Sequence, residues 1–234
     1  MRLKRLAAPG FWPVKKKSKK FVVAPRPGPH PKKASIPIAL IIRDILGYAQ
    51  TIREVKTIMN NSLVKVDGKV KKDYAYPIGL MDIVSIGDEC FMIIPSIKGF
   101  ELVSMKKSES LFKLCRIRDK QCIGNKIQLN LHDGKNILIS KEEGNKYNTG
   151  DVLILDTEKN SIKEHLKFEK GSIALIISGH NTGALGKIED IIITRSPQPN
   201  QVVIAIENRK IPIPKDYVFV VGKEKPVIPI GENK

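Results

Sequence analysis

The chain has 234 residues, with 41 Lys and Arg against 24 Asp and Glu and a formal net charge of +17. Hydrophobic residues at 41% are enough for packed cores, and aromatics at only 6% mean that those cores are built from Ile, Leu and Val. No run approaches the ~18 consecutive apolar residues of a membrane helix, the basic beginning lacks the apolar stretch of a signal peptide, and three cysteines without CxxC spacing argue against a disulfide framework or a zinc site and suit a reducing cytoplasm.

The charge is segregated. Residues 1–33 hold eleven basic residues and no acid, leaving 30 basic against 24 acidic residues in the other 201. Six prolines interrupt the same stretch, and it has neither helical nor strand periodicity. Such a segment predicts an extended, solvated basic arm over residues 1–34, separable from a core that folds without it. Its charges suit a polyanion, because each Lys or Arg placed on a phosphate releases condensed counterions. Candidate RNA-binding residues are therefore Arg2, Lys4, Arg5, Lys15, Lys16, Lys17, Lys19, Lys20 and Arg26, with Trp12 placed to stack on an unpaired base. A solvated tail is the plainer reading, but so many like charges without a counter-charge repel one another.

From Ser35 the pattern changes. Ser35 as cap, Pro37 in the first turn and Ile38, Ile41, Ile42, Ile45 and Leu46 at helical spacing predict a helix stopped at Gly47. Thr51-Ile52-Arg53-Glu54 is a capping box for a second helix, with Ile52, Val55, Ile58 and Met59 buried and Arg53, Lys56 and Asn60 on another side. Two alternating runs around Asp67-Gly68 predict a β-hairpin. Arg43, Arg53, Lys56, Lys65 and Lys69 would give this helix-hairpin module, residues 35–104, a basic face for phosphates.

Residues 105–170 read as a central β domain, with strands at Leu111–Ile117, Lys126–Leu131, Asn136–Ile139 and Val152–Asp156 between turn signals such as Asp133-Gly134. Residues 171–222 read as a small barrel-like sheet, and 223–234 as a loose tail. Within the barrel, Gly179–Lys187 is rich in glycine. It fails as a phosphate-binding P-loop, with Asn181 where a glycine is required and Ile188 where Ser or Thr belongs, and it joins two strands instead of opening a helix. His180, Asn181 and Lys187 would donate hydrogen bonds to RNA from this loop, unless it is an ordinary turn. The four histidines share no metal-ligand spacing, His132-Asp133 reads as a surface turn, and the three cysteines lie in or beside apolar runs, where buried thiols are common. No catalytic, metal or cofactor site is predicted.

Four stretches carry a resemblance. Leu3-Lys4-Arg5-Leu6-Ala7-Ala8-Pro9 with Trp12-Pro13, continued by Arg26-Pro27-Gly28-Pro29-His30, is similar to the N-terminal signature of the archaeal and eukaryotic small-subunit ribosomal protein four, the e-type family. Thr51–Val70 with Tyr76–Asp82 resembles the small RNA-binding module named after bacterial ribosomal protein four. Ile127–Asn136 is similar to the family's central signature, and 171–195 resembles a KOW motif with Gly183 at its characteristic glycine. Ala184-Leu185-Gly186 departs from relatives that carry a basic residue after that glycine. The resemblance spans the chain to about residue 222. It implies an α+β, mostly β protein: an arm, a helix-hairpin module, a central β domain and an SH3-like KOW barrel. It also implies a structural constituent of the small ribosomal subunit in the cytoplasm, bound to small-subunit rRNA beside neighbouring ribosomal proteins. RNA contacts would come from the arm including His30, from Arg43, Arg53 and Lys56, and from the loop around Asn181. An RNA-modifying enzyme with an accessory RNA-binding module, and a free KOW-type translation or transcription factor, are the competing readings. The first is opposed by the absence of a large cleft-bearing domain after residue 104.

Overall fold

A computed structural model describes residues 2–157, 159–206 and 209–227; the Arg2 side chain and the end of the expected tail, from 228 on, lie outside the described residues. The chain is mostly β with few helices and divides into two compact units. One takes residues up to Ile94 with Lys98–Lys113 and Thr157–Lys159; the other takes Pro95–Ile97, Leu114–Asp156 and Asn160 onward.

The first unit begins with β1 (Arg2–Lys4), which pairs antiparallel with β2 (Phe21–Val23), Leu3 opposite Val22. The leading segment therefore differs from the expected free arm. Its few apolar residues are enough to anchor it: Ala8, Trp12 and Val22 are buried in one core with Ile36, Ile38–Ile42, Val55, Met59 and Val64. Next come β3 (Ile36–Pro37) and the single helical turn α1 (Ile38–Leu40), which widens into a π turn over Ile41–Ile45. Leu46 N donates to Ile41 O at 2.9 Å, five residues back, and Gly47 at φ 72° ends the turn. The predicted helix is thus shorter and wider than its spacing suggested. Ile36 and Ile38–Ile42 are all fully buried, so no polar face fixes a regular 3.6-residue repeat. Ser35 does not cap it; its hydroxyl donates to Pro31 O at 3.0 Å.

Helix α2 (Ile52–Asn60) forms as its sequence predicts. Glu54 N donates to Thr51 Oγ1 at 3.3 Å and Thr51 N to Glu54 Oε2 at 3.4 Å, a complete capping box, and such a cap stabilises a helix by about 1 kcal/mol. Val55 and Met59 are buried while Arg53, Lys56 and Asn60 are exposed. Strands β4 (Val64–Val66) and β5 (Lys69–Val70) follow, joined by the two-residue turn Asp67-Gly68 with both residues at positive φ. β6 (Pro77–Ile78) pairs with β3. With β7 (Ile83–Ile86), β8 (Glu89–Ser96) and β9 (Gly99–Met105), the hairpin completes a five-stranded sheet of order β5-β4-β7-β8-β9.

The second unit contains two five-stranded sheets. One has the order β12-β11-β10-β13-β14, from β10 (Phe112–Ile123), β11 (Lys126–Leu131), β12 (Asn136–Ser140), β13 (Val152–Asp156) and β14 (Ile162–Leu166). Cys115, Ile117, Ile127, Leu129, Leu131, Leu153 and Leu155 form its core. The other has the order β18-β17-β16-β15-β19, from β15 (Ile173–Ile176), β16 (Leu185–Ile192), β17 (Gln201–Ile206), β18 (Arg209–Pro214) and β19 (Val218–Gly222). Pro212 and Pro214 confine β18 to the sheet edge, where a missing N–H costs no ladder bond. The expected boundary at 170/171 falls inside this unit. Arg116 bridges it by donating from Nη1 to Asp216 O at 2.9 Å and Val218 O at 3.2 Å, and the His132 ring meets the Phe219 ring edge-on at 5.6 Å.

Candidate nucleic-acid interface

The basic loop between β1 and β2 owes its order to Arg5. The residue is only 6% exposed, and Nη1 donates to Lys15 O at 2.8 Å and to Ser18 Oγ at 2.9 Å. Arg5 N donates to Lys20 O at 3.0 Å. One buried cation thus ties both ends of the lysine run, and Lys15, Lys16, Lys17, Lys19 and Lys20 all stand exposed on it, as does Lys4. Two other residues of this segment lie elsewhere than expected. The Trp12 indole is 3% exposed and donates from Nε1 to Ser35 O at 2.8 Å, so it offers no free face for a base. His30 is 6% exposed, with Nε2 2.9 Å from Asp82 Oδ2. Both are core residues here.

His30 belongs to a buried ionic cluster. Lys113, fully buried on β10, places Nζ 2.6 Å from Asp67 Oδ2 and 2.5 Å from Asp82 Oδ1. Gly79 N donates to Asp82 Oδ2 at 2.8 Å, and a Cβ on Gly79 would come within 2.4 Å of the His30 ring. Burial pushes the Asp82 carboxyl up, but Lys113, His30 and the Gly79 N–H together outweigh it and hold the group well below the ordinary carboxylate range. The cluster joins the leading segment, the hairpin turn, the 79–82 loop and Lys113, all within the first unit. Lys113 could have been suspected from its sequence: it lies between Phe112 and Leu114-Cys115 in a run that otherwise reads as core.

The other predicted cations of the first unit stand exposed, except Arg43, which is half-buried. Arg43, on the π turn, chelates Asp44 through Nε to Oδ1 at 2.9 Å and Nη2 to Oδ2 at 2.8 Å, and this paired carboxylate raises the guanidinium pKa further. Lys56 Nζ lies 4.9 Å from the centre of the Tyr74 ring and Arg26 5.9 Å, with Arg26 also 3.3 Å from Asp73. Tyr74 therefore gathers two predicted cations from separate segments. Arg53, Lys65 and Lys69 are exposed.

In the second unit His180 and Lys187 are exposed and Asn181 is half-buried. The loop is a compact turn: Thr182 Oγ1 donates to Gly179 O at 2.6 Å and Gly183 N to Ile176 O at 2.8 Å. Gly183 (φ 86°) packs where a Cβ would meet Pro95 O at 2.9 Å, so its glycine serves a close approach to the chain's own backbone. Lys187 lies within β16.

His132-Asp133 departs from the expected surface turn, Asp133 being only 4% exposed. Among the described residues, Cys115, His132 and Asp133 bring ligand-type atoms within 4.8 Å of one another. These atoms already serve the core: Cys115 Sγ donates to Asp133 Oδ2 at 3.5 Å, Arg116 N donates to His132 Nδ1 at 3.1 Å, and Lys135 Nζ lies 3.4 Å from Asp133 Oδ2. Cys122, expected beside apolar neighbours, is exposed.

A capped helix, a β-hairpin and a row of exposed lysines in one unit define a class of small basic modules suited to polyanions, and comparison with known sequences supplies the family. Residues 1–33 match the RS4NT (NUC023) domain, 41–84 the S4 domain, and 87–162 the Ribosomal family S4e. The chain is 39% identical to small ribosomal subunit protein eS4 of Ignicoccus hospitalis, over 99% of this chain and 95% of that one. It is 44% identical to the eS4 protein of Methanocaldococcus jannaschii, over 97% and 96%. The crystal structure of 30S ribosomal protein S4e from Thermoplasma acidophilum matches with a TM-score of 0.72 at 29% identity, covering 83% of this chain and 99% of that one. The chain belongs to the S4e family of small-subunit ribosomal proteins.

Proposed function

We propose that this chain is a structural constituent of the small ribosomal subunit that binds and stabilises its rRNA, and is not an enzyme. The observation that carries the reading is the row of exposed lysines at 15–20 held in place by the buried Arg5. A loop fixed before binding loses less entropy when it meets phosphates than a free tail does. Arg26, Arg43, Arg53, Lys56, Lys65 and Lys69 extend the basic surface of the same unit, and the turn around Asn181, in an SH3-like KOW barrel, adds a separate contact. The partners are small-subunit rRNA and neighbouring small-subunit proteins in the cytoplasm, with no cofactor, metal, membrane or small-molecule substrate. Recognition rests on shape and on irregular RNA, because the major groove of regular A-form RNA is too narrow to read.

Sedimentation tests this reading. The chain is expected to remain with purified small subunits through a moderate-salt wash. Release of the chain into the supernatant at that salt, as for a cycling factor, would contradict it.

A further inference from the structure

Beside the lysine loop lies a cleft of about 460 Å³, lined among others by Arg5, Lys15, Lys19, Arg43, Asp44 and Gln50. Sites of ~300–1,000 Å³ hold small organic groups and not only lone ions. Four cations face one carboxylate here, a net charge of three positive. Part of the lining is apolar, from Pro13, Val14 and Ala49. Arg5 adds a second, independent observation: it is only 6% exposed, and its buried Nε has no hydrogen-bond partner among the described residues. A buried donor left without an acceptor costs roughly 1–3 kcal/mol, which an oxygen from a ligand would relieve. Lys15 and Lys19, both in the lining, are exposed to solvent.

We propose that this cleft takes one unpaired nucleotide of an RNA strand, its phosphate toward Lys15, Lys19 and Arg43 and its base along the apolar part of the lining with an edge toward Gln50. The site combines what a nucleotide needs: cations for the phosphate, an apolar surface for the base, and an amide that both donates and accepts for its edge. A free nucleotide shares this chemistry. The strand is favoured because Lys16, Lys17 and Lys20, exposed on the same loop, are placed for the phosphates on either side. Arg43 enters already oriented by its two bonds to Asp44, which fix the guanidinium plane before the phosphate arrives. The inference rests on the rRNA-binding reading above and assigns it a particular point of entry.

The test uses the full chain and purified small-subunit rRNA. Amine acylation of the wild-type complex should find Lys15 and Lys19 protected. Lys15→Gln/Lys19→Gln, two surface changes, should weaken binding about tenfold or more, as loss of charge-assisted bonds predicts. A photoreactive residue at Gln50 should crosslink to one unpaired nucleotide. If the wild-type chain does not bind the rRNA, the functional reading itself fails. If it binds while Lys15 and Lys19 react as in the free chain, or while the Gln50 crosslink maps to a base-paired helix, the cleft proposal alone is overturned. Equal protection of both lysines by millimolar AMP would overturn the assignment to a strand.

Discussion

Lys113 shows how single residues hold the first unit together. Its ammonium is fully buried between Asp67 and Asp82, so removing it deletes the one lysine charge that both carboxylates share. Lys113→Met keeps the stem and deletes only the charge; it should destabilise the chain by about 3–5 kcal/mol in urea unfolding. A loss well under 1 kcal/mol would mean that the cluster is not the brace described. Asp82 makes the same cluster sensitive to acid. Its pKa is depressed in the folded chain, so as pH falls the unfolded chain takes up that proton first, at about pH 4. Its contribution is therefore complete above about pH 5 and is lost as pH falls toward the lower, folded value. Asp82→Asn should be less stable at neutral pH and should lose less further stability between pH 5 and 2 than the wild type; parallel curves would contradict this. At this scale the sequence was a poor guide for Trp12 and His30. Both read as RNA contacts because charge and aromaticity look alike whether a residue is buried or exposed, and only the fold shows that they pin the segment whose lysines remain outside.

Among elements, the leading segment is the one most altered by its surroundings. Its composition predicts an arm that can be removed without harm, yet Trp12 lies in the core with Ile36, Ile38 and Leu40 and donates to Ser35 O. Trp12→Ala should cost about 3–5 kcal/mol, read as a lowered urea midpoint of the full chain, and removing residues 1–33 should unfold the first unit and not leave it intact. An unchanged midpoint for Trp12→Ala would restore the free arm. Elements with strong local signals were legible. Helix α2 had its capping box, the β4–β5 hairpin its Asp67-Gly68 turn, and β11 its alternation. The Ile38–Ile45 segment was not, because a run buried on all sides carries no period. β18 escaped notice because its two prolines suit only an edge strand, and an edge is defined by neighbours that sequence does not name.

For the whole molecule, the excess charge was legible from composition, and so was a mostly β chain with an S4-like module. The division into two units was not: the bonds from Arg116 to Asp216 O and Val218 O join residues a hundred positions apart, and no local pattern announces them. The central claim is that the lysine loop neutralises RNA phosphates. Its most direct test is the salt dependence of binding to small-subunit rRNA by the full chain and by a variant with Lys15, Lys16, Lys17, Lys19 and Lys20 replaced by Gln, all exposed and so replaceable without disturbing the core. With about eight phosphates neutralised, the wild-type slope of log affinity against log salt should lie near −5.6 to −7.2. The variant should be flatter by about 3.5 to 4.5. A wild-type slope near zero, or the same slope in both chains, would contradict the account.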